Sequence, residues 1–593
     1  CGLGEGTTQE SEVLEAIGHT VREQLPVLFM IQDNSFAIST KTGGQTFYSY
    51  PHGEAESFYG VPITRIDGRN VAKAVSAFGP VVSEIRESRG PQIVVFSVER
   101  LHNHTNADDQ RLYRTPEEIE SVARSGDPVA LLRAHLIASG ISENELSNQE
   151  NEIRGKLMQT AREAQLSPEP QPTGEAKAPL PPHLSDPDCE YTGTGERDLV
   201  MLEAIRDVLD ARMDADEDVT LFGEDIEDPK GDVFGITRGL TQKYGRRVKN
   251  SPLSESLIMG VSIGKALAGQ RPVAFLQFAD FLPIAYNQIF AELGSMYWRT
   301  DGAWQVPLIL MVTAGGYRPG LGPFHASTLE ALVAHTPGID VFMPADAGDA
   351  AGLLNAAFES RRPTIFFYPK NQLNDRNRAT SRDVAKQLVP PGRARFLSRG
   401  DDITMVVYGN TVPLATRAAA ELDRHDVHCD IIDLRSLVPW DIDAVVASAE
   451  RTGRLIVAHE DNHTSGFGAE VISTVAERSR RHILARRVTR PDTYVPCNFA
   501  NQLDILPSYK RVLETAVDML GGSVVWKTTD TTVEGVFDVE AIGSSPSDET
   551  VSVVEWLVSP GDAVQEGQLL AEVEADKAAK KKKSPVSGTV REL

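Results

Sequence analysis

Cysteine is scarce. Four residues, Cys1, Cys189, Cys429 and Cys497, are spread far apart in 593, with no Cys-x-x-Cys pair. That spacing argues against a disulfide scaffold or a structural zinc site and fits a reducing cytoplasm. Basic residues are in deficit: 59 Lys and Arg face 84 Asp and Glu, for a net charge of −25. A general nucleic-acid binder needs clustered cations for phosphate contacts, so this balance argues against one. No uncharged apolar run approaches the roughly 18–20 residues that cross a bilayer, which argues against a membrane-spanning enzyme. No tandem repeat with a period of about 20–50 residues is visible. What remains is an ordinary globular composition, 41% hydrophobic and 24% charged. At about 150 residues per domain, this length predicts roughly four domains. The chain opens on Cys1 rather than Met and stops shortly after Gly588-Thr589-Val590, so a fragment cut through a domain at each end is expected.

Two linkers stand out. Residues 166–196 hold Pro168, Pro170, Pro172, Pro179, Pro181, Pro182 and Pro187 with few bulky apolar residues, which predicts an extended, mobile tether. A weaker boundary falls at 521–532, around Gly521-Gly522 and a Thr-rich stretch. Between these marks, β-branched runs alternate with helical patterns. Val27-Ile31, Ile93-Val98, Val219-Phe222, Val273-Leu276, Leu308-Thr313, Val341-Met343 and Thr364-Tyr368 read as buried strands, and a further unit follows with Ile403-Tyr408, Cys429-Asp433 and Arg454-His459. Such alternation predicts an α/β fold of parallel sheets covered by helices. The last 60 or so residues, with short strands and the turn Pro560-Gly561-Asp562, read as a small all-β unit. The expected domains are 1–165, 197–390, 395–520 and 533–593.

Several motifs carry chemistry. Gly4-Glu5-Gly6 alone is a tight turn around a capping acid, and Ser251-Pro252-Leu253-Ser254-Glu255 alone is a helix start. His104 lies in Leu101-His102-Asn103-His104-Thr105-Asn106-Ala107-Asp108-Asp109, and a lone pair of histidines is usually structural. The order of the motifs changes that reading. Gly4-Glu5-Gly6 followed by Asp33-Asn34 after a strand resembles the thiamine-diphosphate motif, in which an acid and an Asn hold a divalent metal on the diphosphate. Residues 1–165 resemble the C-terminal portion of the α subunit of the decarboxylating first component of 2-oxo acid dehydrogenases, and 197–520 resemble its β subunit. Gln277-Phe278-Ala279-Asp280-Phe281, Gly322-Pro323-Phe324-His325-Ala326-Ser327 and Ile432-Asp433-Leu434-Arg435-Ser436-Leu437-Val438-Pro439-Trp440-Asp441 extend the likeness in order. Glu574-Ala575-Asp576-Lys577-Ala578 resembles the modified turn of a lipoyl domain, without the Met residues that flank a biotinyl lysine.

The resemblance implies a fold of two thiamine-diphosphate-binding parallel-sheet domains, a transketolase C-terminal-type α/β domain and a lipoyl-like barrel-sandwich. It implies Mg²⁺ held by Glu5, Asn34 and the backbone carbonyl of Phe36, hard oxygen ligands that suit this ion. Gly4 and Gly6 would let the backbone approach the phosphates, and His104 would contact the diphosphate. Leu253, Gln277 and Phe281 would contact the cofactor, Glu255 would hydrogen-bond its aminopyrimidine ring, and His325 and His104 would donate protons. Lys577 would carry lipoate. Thr105 occupies a site phosphorylated in some relatives. The closest flavour is branched-chain: Gly-Glu-Gly, Ala37-Ile38-Ser39-Thr40, Gln277-Phe278-Ala279-Asp280 and Phe366-Phe367-Tyr368-Pro369-Lys370 all lean that way. Two positions depart, Gln32 where relatives often carry Arg and Phe281 for a common Tyr. The run Lys580–Lys583 also departs, occupying a strand that alternates apolar and polar residues in relatives.

The implied reaction is decarboxylation of a 2-oxo acid such as 2-oxoisovalerate with reductive acylation of lipoyl-lysine. The implied partners are a lipoyl acyltransferase in a multienzyme complex and a second copy in a homodimer. The cofactor is expected between the α-like and β-like parts, within one chain or across two. Pyruvate- or acetoin-type first components, a transketolase-like enzyme using an aldehyde acceptor, and an inactive lipoyl carrier stand as alternatives.

Overall fold

The computed structural model describes every residue except 170, 172–173, 527–536, 538, 540–551, 576–577 and 592–593. The chain divides into two compact units, Cys1–Pro172 and Thr173–Leu593.

The first unit is built on a five-stranded sheet. Its strands are β1 (Gly2–Gly4), β2 (Leu28–Asp33), β3 (Ser57–Phe58), β4 (Val61–Asp67) and β5 (Gln92–Ser97), in the order β1-β2-β5-β4-β3. All neighbours run parallel except β3 and β4. Ile31, Ile93 and Val94 are fully buried, as expected where helices cover a parallel sheet on both sides. Helix α1 (Ser11–Glu23) packs Ile17 into one face, and α2 (Val71–Ser88) lays Val81 against Ile66 and Val94 on the other. Three more helices follow: α3 (Pro116–Ser125), α4 (Pro128–Ala138) and α5 (Glu143–Gln165). Thr115 and Glu118 form a reciprocal capping box at the start of α3. Helix α5 buries no residue in its unit.

The second unit holds a seven-stranded sheet of β6 (Val219–Gly223), β7 (Val248–Asn250), β8 (Arg271–Leu276), β9 (Ile309–Ala314), β10 (Asp340–Phe342), β11 (Thr364–Pro369) and β15 (Ser436–Val438). Their order is β15-β10-β11-β9-β8-β6-β7. A five-stranded sheet follows, with β12 (Arg395–Ser398), β13 (Ile403–Val407), β14 (Cys429–Asp433), β16 (Arg454–Asn462) and β17 (Leu484–Arg490) in the order β12-β14-β13-β16-β17. Helices α6 (Met201–Ala215), α7 (Glu255–Leu267), α8 (Ala347–Glu359), α9 (Thr411–Asp423), α10 (Ile442–Thr452), α11 (Phe467–Arg478) and α12 (Tyr509–Met519) cover these sheets. The central strands β9 and β11 are buried along their whole length, which explains their largely apolar sequences, each with a single threonine. The strand β15 belongs in sequence to the second sheet but pairs antiparallel with β10 of the first. One apolar core therefore runs through both, joining Val341 and Ile365 to Val406, Ile432 and Val457.

One expectation about the linkers is corrected. Within the second unit, residues 177–191 are not a free tether. Lys177 bridges Asp340 at 2.8 Å, Leu184 is fully buried, and Glu190 binds the buried Arg435 guanidinium at 2.7 Å. Tyr191 exchanges backbone hydrogen bonds with Leu388. Proline density enforces an extended chain, but it does not stop the intervening side chains from finding slots. At 521–532, the described part is also held: Trp526 Nε1 donates to Glu514 at 2.7 Å and its ring meets Tyr509 edge-on.

The C-terminal strands β18 (Ser552–Trp556), β20 (Leu569–Ala575) and β21 (Ala578–Lys583) form an antiparallel sheet, and β19 (Ala563–Val564) pairs with β22 (Gly588–Thr589). The run Lys580–Lys583 forms the last four residues of β21, where Lys581 pairs with Glu572 at 2.9 Å.

Candidate active site

In the first unit, parallel pairing sets Gly4 opposite Gln32, so the residues just beyond the two strand ends become neighbours. Glu5 is buried, and its Oε2 accepts hydrogen bonds from the backbone and the side-chain amide of Asn34, each at 3.2 Å. Burial raises the Glu5 carboxyl above its ordinary range, Asp33 adds to this, and the two backbone amides and Arg100 oppose it. The Oδ1 of Asn34 is buried with no hydrogen-bond partner among the described residues. A carboxylate and an orphaned amide oxygen side by side are hard donors of the kind a small divalent cation takes. A side chain on Gly4 would meet nothing within 4 Å, whereas one on Gly6 would lie 3.0 Å from the Ala37 Cβ. Gly6 thus packs closely against Ala37, and Gly4 leaves open space.

Phe36 follows a turn in which Ser35 takes a positive φ of 66°. Its ring lies under two guanidinium groups, Arg100 at 5.2 Å and Arg114 at 5.5 Å. All three guanidinium nitrogens of Arg100 are buried without a hydrogen-bond partner among the described residues, and the sequence reading did not single it out. His104 and Thr105 are exposed on a loop ordered by Asp108, which accepts from the His104 backbone at 2.8 Å and the Tyr113 hydroxyl at 2.7 Å. These bonds hold Asp108 below the usual carboxylate range. No contact brings His104 to Glu5 or Asn34.

In the second unit, the remaining site residues gather at the carboxyl edge of the seven-stranded sheet, where open α/β folds bind ligands. Beyond β6 come Glu224 and Asp225; beyond β7, Ser251 donates its N–H to the Gly223 carbonyl at 2.7 Å and leads to the Ser254 cap of α7. Glu255 is therefore in the first turn of α7, close enough for its charge to act on Glu224. Burial foremost, then the charges of Glu255 and Asp225, push the Glu224 carboxyl up to about 7. Gln277 donates to Asp225 at 2.6 Å, which ties the β8 end to the β6 end. The Phe278 ring meets His325 edge-on at 4.6 Å, and Phe281 stands 5.9 Å from the same imidazole. Leu253 is 83% exposed, an apolar side chain presented rather than packed. Glu224, Asp225 and Phe278 escaped the sequence reading as site residues. The strand-end position of Glu224 and Asp225, directly after an apolar run, was the available signal.

Lys577 lies outside the described residues. The strands that flank it, β20 and β21, pair with Ala575 opposite Ala578.

The comparisons with known proteins fall on these same blocks. Residues 1–173 match the family described as Dehydrogenase E1 component, 197–376 the transketolase pyrimidine-binding domain, 392–508 the transketolase C-terminal domain, and 540–593 the family described as Biotin-requiring enzyme. The 2-oxoisovalerate dehydrogenase subunit beta of Pseudomonas aeruginosa is 36% identical over 338 residues, 53% of this chain and 95% of that relative. The chain belongs to the 2-oxo acid dehydrogenase E1 family. Other relatives are the pyruvate dehydrogenase E1 component subunit beta of Bacillus subtilis, 35% identical over 54% of this chain and 98% of its own length, and the beta subunit of that organism's acetoin:2,6-dichlorophenolindophenol oxidoreductase, 32% identical over 55% and 98%. This E1 chain is an oxidoreductase of thiamine-diphosphate-binding families, carrying α-type, β-type and lipoyl-type parts in one polypeptide. Among its described residues no helix is long and apolar enough to cross a membrane.

Proposed function

We propose that this E1 chain decarboxylates a branched 2-oxo acid such as 2-oxoisovalerate and passes the acyl group to a lipoyl-lysine. The observation that carries the reading is the carboxyl edge of the seven-stranded sheet, where Glu255, Glu224, Phe278, Phe281 and His325 converge. Thiamine diphosphate supplies the electron sink for loss of carbon dioxide. Glu255 would hold the aminopyrimidine ring by a hydrogen bond and would hold the proton shared with it. Glu224, raised toward neutrality beside it, keeps that proton available. His325 donates a proton to the reacting oxygen, since an imidazole exchanges protons near neutral pH. Phe278 and Phe281 give the apolar wall for a branched side chain.

Glu5, Asn34 and the Phe36 carbonyl would hold Mg²⁺, a fit supported by the orphaned Asn34 Oδ1 beside the buried carboxylate. The loop bearing His104 would cover the diphosphate. Lys577 carries the lipoyl amide, the chain works with a lipoyl acyltransferase in a multienzyme complex, and two copies pair as a homodimer. Four free cysteines support a cytoplasmic setting.

The test is a panel of 2-oxo acids assayed on the full-length protein with thiamine diphosphate, Mg²⁺ and an artificial electron acceptor. A pocket gains roughly 0.8 kcal/mol per buried methylene, so the expected preference for 2-oxoisovalerate over pyruvate is modest, about tenfold. An efficiency on pyruvate about tenfold above that on 2-oxoisovalerate would reverse the substrate assignment. Peptide masses from lipoate-supplied cells should show one lipoyl group on Lys577; an unmodified lysine there, with other lipoyl proteins modified, removes the attachment site. Gel filtration at the mass of a single chain would remove the homodimer.

A further inference from the structure

His325 sits on a loop, residues 315–327, that leaves β9 and returns to close on itself: the Gly315 N–H donates to the Ser327 carbonyl at 3.1 Å. Two carboxylates hold the base of this loop from opposite sides. Glu460, on β16, accepts the Gly316 N–H at 2.9 Å through Oε1 and the Asn410 amide at 2.8 Å through Oε2. Asp280, just beyond β8, accepts the Ser327 N–H at 3.2 Å through each oxygen. The base is tight: a side chain on Gly315 would come within 2.4 Å of Asn410 Nδ2 and 2.7 Å of Glu460 Oε2.

Lys370 follows β11 at the same sheet edge. It is fully buried, and its Nζ has no hydrogen-bond partner among the described residues. The ammonium lies 5.2 Å from the centre of the Phe278 ring, which also meets the His325 imidazole and the Phe234 and Phe281 rings. The negative charges that act on it are Asp280 and Glu460; Arg318 is the opposing positive one. A buried ammonium without hydrogen bonds costs several kcal/mol unless its charge is compensated. A methionine would fill the same slot without that cost, so packing alone does not account for a lysine here.

We propose that Lys370 is a positioning residue: its ammonium is the shared counter-charge of Glu460 and Asp280, the two carboxylates that hold the loop carrying His325. The proposal rests on His325 as the proton donor. Burial pushes the Glu460 carboxyl up, and the Gly316 N–H, Asn410, Lys370 and Arg490 hold it down; Tyr317 also faces it. Removing the Lys370 charge leaves Glu460 protonating at higher pH. Its protonated form is the poorer acceptor for Gly316, so the loop should loosen as pH falls.

The experiment compares the full-length protein with Lys370→Met, Glu460→Gln and the double variant. Hydrogen exchange is read in the peptides that hold Gly316 and Ser327, and turnover on 2-oxoisovalerate with an artificial acceptor is read across pH. Lys370→Met should speed exchange in both peptides by about tenfold near pH 6, with protection recovering as pH rises. It should move the acid limb of turnover up by about one pH unit, with KM little changed. The double variant carries a neutral acceptor at position 460 whatever the pH, so its exchange should lose the pH dependence seen in Lys370→Met. Wild-type exchange and an unmoved acid limb in Lys370→Met overturn the proposal. So does a Lys370→Met protein that fails to fold and is not rescued by the second substitution. If no 2-oxo acid is turned over by the wild type, the role of His325 fails, while exchange alone still judges the Lys370 clamp.

Discussion

The two sheet edges that carry the candidate site residues pose opposite electrostatic problems. At the edge of the first sheet one buried carboxylate, Glu5, neighbours an amide whose oxygen has no donor. At the edge of the second, two carboxyl groups, Glu224 and Glu255, act on each other, and the more buried one is pushed up to about 7. The first arrangement, where Asp33 raises and Arg100 lowers the Glu5 carboxyl, leaves a hard amide oxygen that a cation would complete. The second is relieved by a proton. A metal site and a proton-handling site thus differ less in residue type than in what stands beside the acid.

The sharpest way to break this contrast is Glu255→Gln. The amide keeps size and a hydrogen bond but cannot exchange a proton, so decarboxylation should fall by about 10²–10⁴-fold while thiamine-diphosphate affinity stays within a few-fold. Near-wild-type turnover in single-turnover assays would take Glu255 out of its role. A smaller effect is expected from Glu224→Gln, read as stability. The Glu224 carboxyl is raised in the folded state above its unfolded range, so its contribution to stability is present at low pH and lost as pH rises through about 7. The glutamine variant is free of that loss. Its denaturant midpoint should match wild type near pH 4.5 and exceed it above pH 7, by about 1–2 kcal/mol in unfolding free energy. A gain that is the same at both pH values would mean that the carboxyl is not raised by its surroundings.

Much of the fold is legible in the sequence because it rests on local pattern. The largely apolar runs at 309–314 and 364–369 declare buried parallel strands, and the helices between them follow. The motif residues take up local structure that the sequence suggests: Glu5 and Asn34 follow strand ends, Glu255 opens α7, Gln277 and Phe281 follow β8, and His325 sits on the loop after β9. What escaped is relational. Arg100, Glu224 and Lys370 look like ordinary charged residues until the fold buries them beside particular partners. The linker failed for the same reason: Lys177, Leu184 and Glu190 are held by Asp340, the core and Arg435, residues more than a hundred positions away. Spacing alone does not reveal such partners.

Completion of one edge by a cation and of the other by a proton is tested most directly by calorimetric titration of thiamine diphosphate into the full-length protein. It is run with Mg²⁺ and with EDTA, on wild type, Asn34→Ala and Glu255→Gln. The expected result is binding that collapses in EDTA, weakens by about tenfold or more in Asn34→Ala, and keeps its metal dependence in Glu255→Gln. Cofactor affinity indifferent to both chelation and Asn34→Ala, or metal dependence lost in Glu255→Gln, would contradict it.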